Sequence, residues 1–185
     1  MTTLSTAHHP HLPAPRFEGL RHRLDGALAL PGDDLYTLLA TPWNVAVATR
    51  PAAVVQAASA QDVVEAVRFA AAAGLPVAVQ STGHGIAGGL DGALLVHTGR
   101  LDECVVHTDG WARVGAGVRW QQVLDAAAPH GLAPLAGSAP GVGSVTRSAC
   151  QRSGPKTSYW MSRAATSRSI SALRMPRMKG SGPQR

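Results

Sequence analysis

The sequence predicts an alternating α/β domain, and three observations carry that reading. Apolar runs of strand length recur between residues 44 and 115, and two stretches combine helical periodicity with helix start and stop signals. Gly, Pro and Ser punctuate the joins between them. The chain has 185 residues, room for one domain of ordinary size. Hydrophobic residues make up 45% and charged residues 15%, which supports a packed core and excludes wholesale disorder. Two cysteines, Cys104 and Cys150, make neither a disulfide framework nor a zinc site.

Residues 1–43 read as a lead-in, His- and Pro-rich at first, with a short helix from Phe17 onward. Residues 44–49 alternate in the manner of a strand, and 54–58 form a second apolar run after the Arg50-Pro51 break. Ser59 is a good N-cap, and Asp62 at the third helical position suits the positive end of the helix dipole. Val63, Val64, Val67 and Ala70 then share a helical face, and Gly74 followed by Pro76 supplies the stop. Val77–Gln80 returns to strand, and a glycine-rich loop occupies 81–89. Three short strands follow at 93–97, Cys104–His107 and 111–115, with a spacing that suits a small antiparallel sheet. A second helix over 118–129 turns Val123, Leu124 and Ala127 inward and stops at Gly131. Residues 132–145 are irregular, rich in Pro, Gly, Ser and Ala.

Charge divides the chain in two. The net charge is +6, yet all 11 acidic residues lie at or before Asp125. Residues 146–185 hold nine basic residues and no acid, so they carry +9. The body, 1–145, has eight basic residues against 11 acidic ones, hence −3. No apolar run is long enough to span a bilayer, and residues 1–15 have no signal-peptide core, so the expected location is cytoplasmic.

The glycine loop is the candidate functional element. A strand ending in a loop with Gly83, Gly85, Gly88 and Gly89 lets the backbone approach a ligand closely. Successive amides in such a loop form a concave donor site for phosphate oxygens. The loop is not a P-loop, because no Gly-Lys-Ser/Thr follows, nor a Rossmann fingerprint, because no helix follows. Gly115-Ala116-Gly117 reads as a strand-to-helix turn, since Trp120 stands where a third glycine would be.

The ordered combination is more specific than any one piece. Arg50-Pro51, a strand, a Ser-capped helix ending in Ala73-Gly74-Leu75-Pro76-Val77, and then Gln80-Ser81-Thr82-Gly83-His84-Gly85 resemble the FAD-linked oxidase family. These are flavoproteins similar to vanillyl-alcohol oxidase and berberine bridge enzyme. The resemblance continues through Gly92-Ala93-Leu94-Leu95-Val96 and Gly115-Ala116-Gly117-Val118-Arg119-Trp120 to Gly131-Leu132-Ala133-Pro134-Leu135-Ala136-Gly137-Ser138. It covers roughly residues 46–145.

The resemblance implies an α+β, PCMH-type FAD-binding fold of two α/β subdomains with the flavin between them. That domain would occupy 44–145, its N-terminal part only. The resemblance assigns Ser81, Thr82, Gly83, His84, Gly85 and Ile86 to the pyrophosphate, and adds Gly137, Ser138 and Gly143 as cofactor contacts. It makes His84 the candidate for a covalent bond to the 8α-methyl of the flavin ring, as in many members. Some members add a second link from a cysteine near the position of Ala139, where this chain has none, so a single link is implied. The implied reaction is two-electron oxidation of a small-molecule C–H or alcohol-type substrate, with hydride passing to flavin and then to oxygen. No catalytic base, metal or membrane contact is implied within this chain.

The tail departs from the family pattern after Val145. Both lysines lie there, with three of four methionines and eight of 13 serines. A shifted reading frame would produce this pattern. Trp160-Met161 must be encoded TGG-ATG, which contains GAT, aspartate, in the neighbouring phase; Met178-Lys179 hides a glutamate in that same phase. The other reading is a genuine disordered basic tail that contacts nucleic acid or another acidic partner. Three functions are therefore weighed: an incomplete FAD-dependent oxidoreductase, inactive by itself with weak or no FAD binding; a small α/β binding module with a cationic tail; and a product that completes no flavin site. Nucleic acid is the less favoured partner.

Overall fold

The computed structural model describes residues 17–134, 139–144 and 171–174, which form two β-sheets, each with its own helical cover. The chain enters through a short helix α1 (Glu18–Arg21), strand β1 (Ala27–Ala29) and helix α2 (Asp34–Ala40). Then come β2 (Ala53–Gln56), α3 (Ala60–Ala73), β3 (Val77–Gln80) and β4 (Leu94–His97). The four strands order as β1-β2-β4-β3. β2 and β3 both run parallel to β4, whereas β1 is antiparallel to β2.

Burial explains why β4 takes the centre. Leu94, Leu95 and Val96 are all buried, so neither face of this strand can meet water. On one face Leu20, Leu28, Val55, Leu94 and Val96 pack with Ala66 and Ala70 of α3. On the other, Val54 and Leu95 meet Leu39 and Ala40 of α2. Each such aliphatic side chain contributes about 1.5–3 kcal/mol on burial.

Helix α3 starts as its residues dictate. Ser59 accepts from Asp62 N at 3.2 Å, and Asp62 Oδ2 accepts in return from Ser59 N at 3.2 Å. The helix ends at Gly74, whose φ of +66° suits a residue without a Cβ. Asp62 does more than cap. It is fully buried and also accepts from Asp25 N at 2.8 Å, Gly26 N at 3.0 Å and Ala58 N at 2.7 Å, tying the β1 entry to the α3 start.

The second sheet contains β5 (Cys104–His107), β6 (Trp111–Val114) and β7 (Ser171–Arg174), antiparallel in that order. Helix α4 (Trp120–Ala127) packs on it through Val123 and Ala127 and runs into a 3-10 turn, Ala128–His130. Trp120, Val118, Val114 and Leu132 complete this core.

Several expectations are corrected. Residues 44–49 form no strand: Asn44 accepts from Ala46 N through its side chain and from Val47 N through its carbonyl, a local turn that leaves Val45 81% exposed. The strand at Leu94–His97 belongs to the parallel sheet, not to an antiparallel group with β5 and β6. Val64 and Val67 are exposed, while α3 buries Asp62, Ala66 and Ala70. Leu124 is only half-buried. Residues 17–43 supply β1 and α2 to the first sheet. Within the tail, Ser171–Arg174 is a strand; its other residues lie outside those described.

Candidate functional site

Strands β2, β4 and β3 end on three polar residues in register. Gln56 and Gln80 each pair with His97 across the ladder, so one row of polar side chains stands at the carboxyl edge of the parallel strands. That edge is where open parallel sheets bind ligands. A cleft of about 580 Å³ opens over it, lined also by Ser81, Thr82, His84, Arg100 and Arg119. Trp43, Gly99, Gly117 and Gly141 also form part of the wall.

The loop after β3 is held from both sides. A Cβ on Gly83 would lie 2.8 Å from Trp43 N and 3.0 Å from Pro42 Cα, and its φ is +72°. Only glycine fits that crossing. Gly85 differs: nothing in the protein stands within 4 Å of a Cβ there. Thr82 Oγ1 accepts from Gly143 N at 3.2 Å, joining the loop to the segment after α4. The same hydroxyl lies 3.0 Å from His84 Nδ1. His84 is exposed and stacks on Trp43, with ring centroids 4.9 Å apart and planes 19° off parallel. Nε2 is then the ring nitrogen not engaged by Thr82.

Of the residues marked in the sequence, Ser81, Thr82 and His84 line the cleft, and Gly143 reaches it through Thr82. Gly83 is buried behind the wall, and Ile86 packs toward Leu39 and Leu95 instead. Gly137 and Ser138 lie outside the described residues.

Sequence reasoning missed Trp43, Gln56, Gln80, His97, Arg100 and Arg119. A signal existed for three of them. Ala53-Val54-Val55-Gln56, Val77-Ala78-Val79-Gln80 and Leu94-Leu95-Val96-His97 each place one polar residue after an apolar triplet. Burial lowers the His97 pKa below the ordinary histidine value. Its Nδ1 accepts from Gly99 N at 3.3 Å, so the neutral ring carries its proton on Nε2. Burial raises Cys104, which keeps it a thiol at neutral pH.

The residues present suit a nucleotide bearing phosphates. No Asp or Glu lines the cleft, whereas two arginines do. Gln80 Oε1 and Ser81 Oγ are buried without a hydrogen-bond partner, although Gln80 Nε2 is satisfied by Leu39 O at 3.1 Å and Thr41 O at 3.3 Å. Among the described residues no group of three His, Cys, Asp or Glu could hold a metal, and no helix is long and apolar enough to cross a membrane.

Comparison with known proteins agrees with this chemistry. Residues 51–154 match the FAD binding domain family, nine residues past the break that composition marks at Val145. The chain is 32% identical over 123 residues to (R)-6-hydroxynicotine oxidase of Paenarthrobacter nicotinovorans, covering 65% of this chain and 27% of that protein. The crystal structure of 6-hydroxy-D-nicotine oxidase from Arthrobacter nicotinovorans superposes with a TM-score of 0.61 at 31% identity, over 65% of this chain and 27% of that one. A variant of the BBE-like 1 protein of Physcomitrella patens superposes at 0.62 with 25% identity, over 69% and 29%. The chain thus spans little more than a quarter of the length of these relatives. With over half its residues matched, and with a cleft of the right chemistry at the edge of its parallel strands, the chain belongs to the FAD binding domain family.

Proposed function

We propose that the chain holds FAD in this cleft as part of an FAD-dependent oxidoreductase acting on a small-molecule substrate. The observation that carries the reading is the Gly83-His84 loop, set on the cleft wall in a chain whose family binds FAD. Ser81, Thr82, Gly83, Gly85 and Ile86 present their backbone to the pyrophosphate, and Gly143 closes the loop from the other side through Thr82. Gly137 and Ser138 complete the contacts on the family pattern. When bound, FAD supplies two-electron hydride acceptance and return of the electrons to oxygen. The binding-module alternative is not favoured, because the cleft rather than the tail carries the recognisable chemistry.

His84 is the attachment residue in this reading. It is exposed at the cleft, and Trp43 and Thr82 fix its ring. His84 would supply a neutral imidazole nitrogen for a C–N bond to the 8α carbon, at the cost of one methyl proton and the imidazole proton. The two electrons would pass to dioxygen, which with those two protons would become hydrogen peroxide. In a full-length version, mass spectrometry of tryptic peptides is expected to find flavin on the peptide containing His84. His84→Ala is expected to leave FAD extractable by acid, with a lowered potential. A flavopeptide mapping elsewhere overturns the assignment.

A further inference from the structure

Two arginines stand on the rim of the cleft, whose described lining holds no acid. Arg100 follows β4 and Arg119 precedes α4, and their segments cross backbone to backbone. Gly117 N donates to Leu101 O at 2.9 Å, and Gly115 N donates to Glu103 O at 2.8 Å. A Cβ on Gly117 would run into the carbonyl of Thr98 and the backbone of Gly99, so the close crossing depends on glycine. It brings both guanidinium groups to one cleft, where both residues are exposed. Neither takes part in an ion pair among the described residues. Residues 1–145 carry −3 overall, yet the charged side chains lining this cleft are these two arginines.

Ser81 gives a second and independent sign of a ligand. It is 6% exposed, lines the same cleft, and its hydroxyl has no partner. A buried hydroxyl without a hydrogen bond costs about 1–3 kcal/mol, and a turn about χ1 would offer it to a ligand oxygen.

We propose that Arg100 and Arg119 form a side-chain clamp for the diphosphate of the bound dinucleotide, facing the glycine loop across the cleft. The inference rests on the FAD reading and extends it, because it names the groups that neutralise the phosphate charge. Loop amides donate hydrogen bonds but carry no net charge. Guanidinium groups supply both the charge and a fork that matches two phosphate oxygens.

Calorimetric titration of the 185-residue chain with FAD, ADP, inorganic pyrophosphate and adenosine tests the clamp. The variants are R100Q and R119Q, with R21Q as a control that removes the same charge from an exposed position on α1 outside the cleft wall. R100Q and R119Q are each expected to weaken FAD and ADP about tenfold and to flatten the salt dependence of binding. R21Q is expected to stay within about twofold, and adenosine to bind all four proteins alike. Equal FAD and ADP affinities in R100Q, R119Q and R21Q, with FAD still bound, overturn the clamp and leave the FAD reading standing. Absence of FAD, ADP and pyrophosphate binding to the parent chain overturns both.

Discussion

Gly83 and Gly85 sit two residues apart in one loop and answer to different constraints. Gly83 combines a φ of +72° with the backbone of Pro42 and Trp43 against its missing Cβ, whereas Gly85 faces open space. Gly83→Val is therefore expected to displace the 42–43 segment and abolish flavin retention while far-UV circular dichroism changes little. Gly85→Ala is expected to be tolerated, with a melting temperature near that of the parent. Asp62 is a residue whose importance exceeds its apparent role. The sequence marks it as a helix N-terminal charge, but only the fold shows four further backbone donors, from Asp25, Gly26, Ala58 and Ser59, converging on one buried carboxylate. Asp62→Ala leaves those amides unpaired and is expected to cost about 3 kcal/mol in urea denaturation. A loss below about 1 kcal/mol would show that the β1 entry and the α3 start hold without it.

At the scale of elements, α3 was legible in extent and misread in orientation. Its cap, its stop and its length follow from Ser59, Asp62 and Gly74. The sequence puts Val63, Val64, Val67 and Ala70 on one face; Ala70 is buried and Val63 packs against the core, but Val64 and Val67 are exposed while Asp62 and Ala66 turn inward. Two physical facts set that rotation. Asp62 must point inward to reach the amides of Asp25 and Gly26, and alanines allow the helix to lie close to the sheet. Val64→Gln and Val67→Gln are accordingly expected to change unfolding free energy by less than about 1 kcal/mol. Ala66→Leu is expected to cost about 1–3 kcal/mol through overpacking. The reverse ranking in denaturant titrations would restore the valine face.

At the scale of the whole molecule, the contacts that join the two sheets at the cleft include Thr98 Oγ1 to Ala116 O at 3.2 Å, Thr82 Oγ1 to Gly143 N, and the crossing of Gly117 over Gly99. Hydride transfer needs a substrate held beside the flavin with a base in reach. Among the described residues no carboxylate lines the cleft, and of the two histidines that do, His84 is the proposed attachment residue while His97 is tied to Gly99. The 185-residue chain is thus expected to consume no oxygen with amines, alcohols or sugars at an oxygen electrode, even with FAD added. Stoichiometric FAD with measurable turnover would overturn that expectation and assign the missing base to this chain.

What the residues determined alone is local. Strands β2 to β6, the caps of α3 and the glycine loop were readable because each rests on neighbours within a few positions. The family likeness was readable for a related reason: it lies in the order of short motifs from Arg50-Pro51 onward. Only the tertiary structure decided which sheet β4 joins, which face α3 buries and which side chains meet at the cleft. Those outcomes depend on pairings between distant residues, such as Gln56 and Gln80 with His97, or Gly143 with Thr82. A strand's alternation does not name its partner, and a glycine's freedom does not say which backbone will cross it.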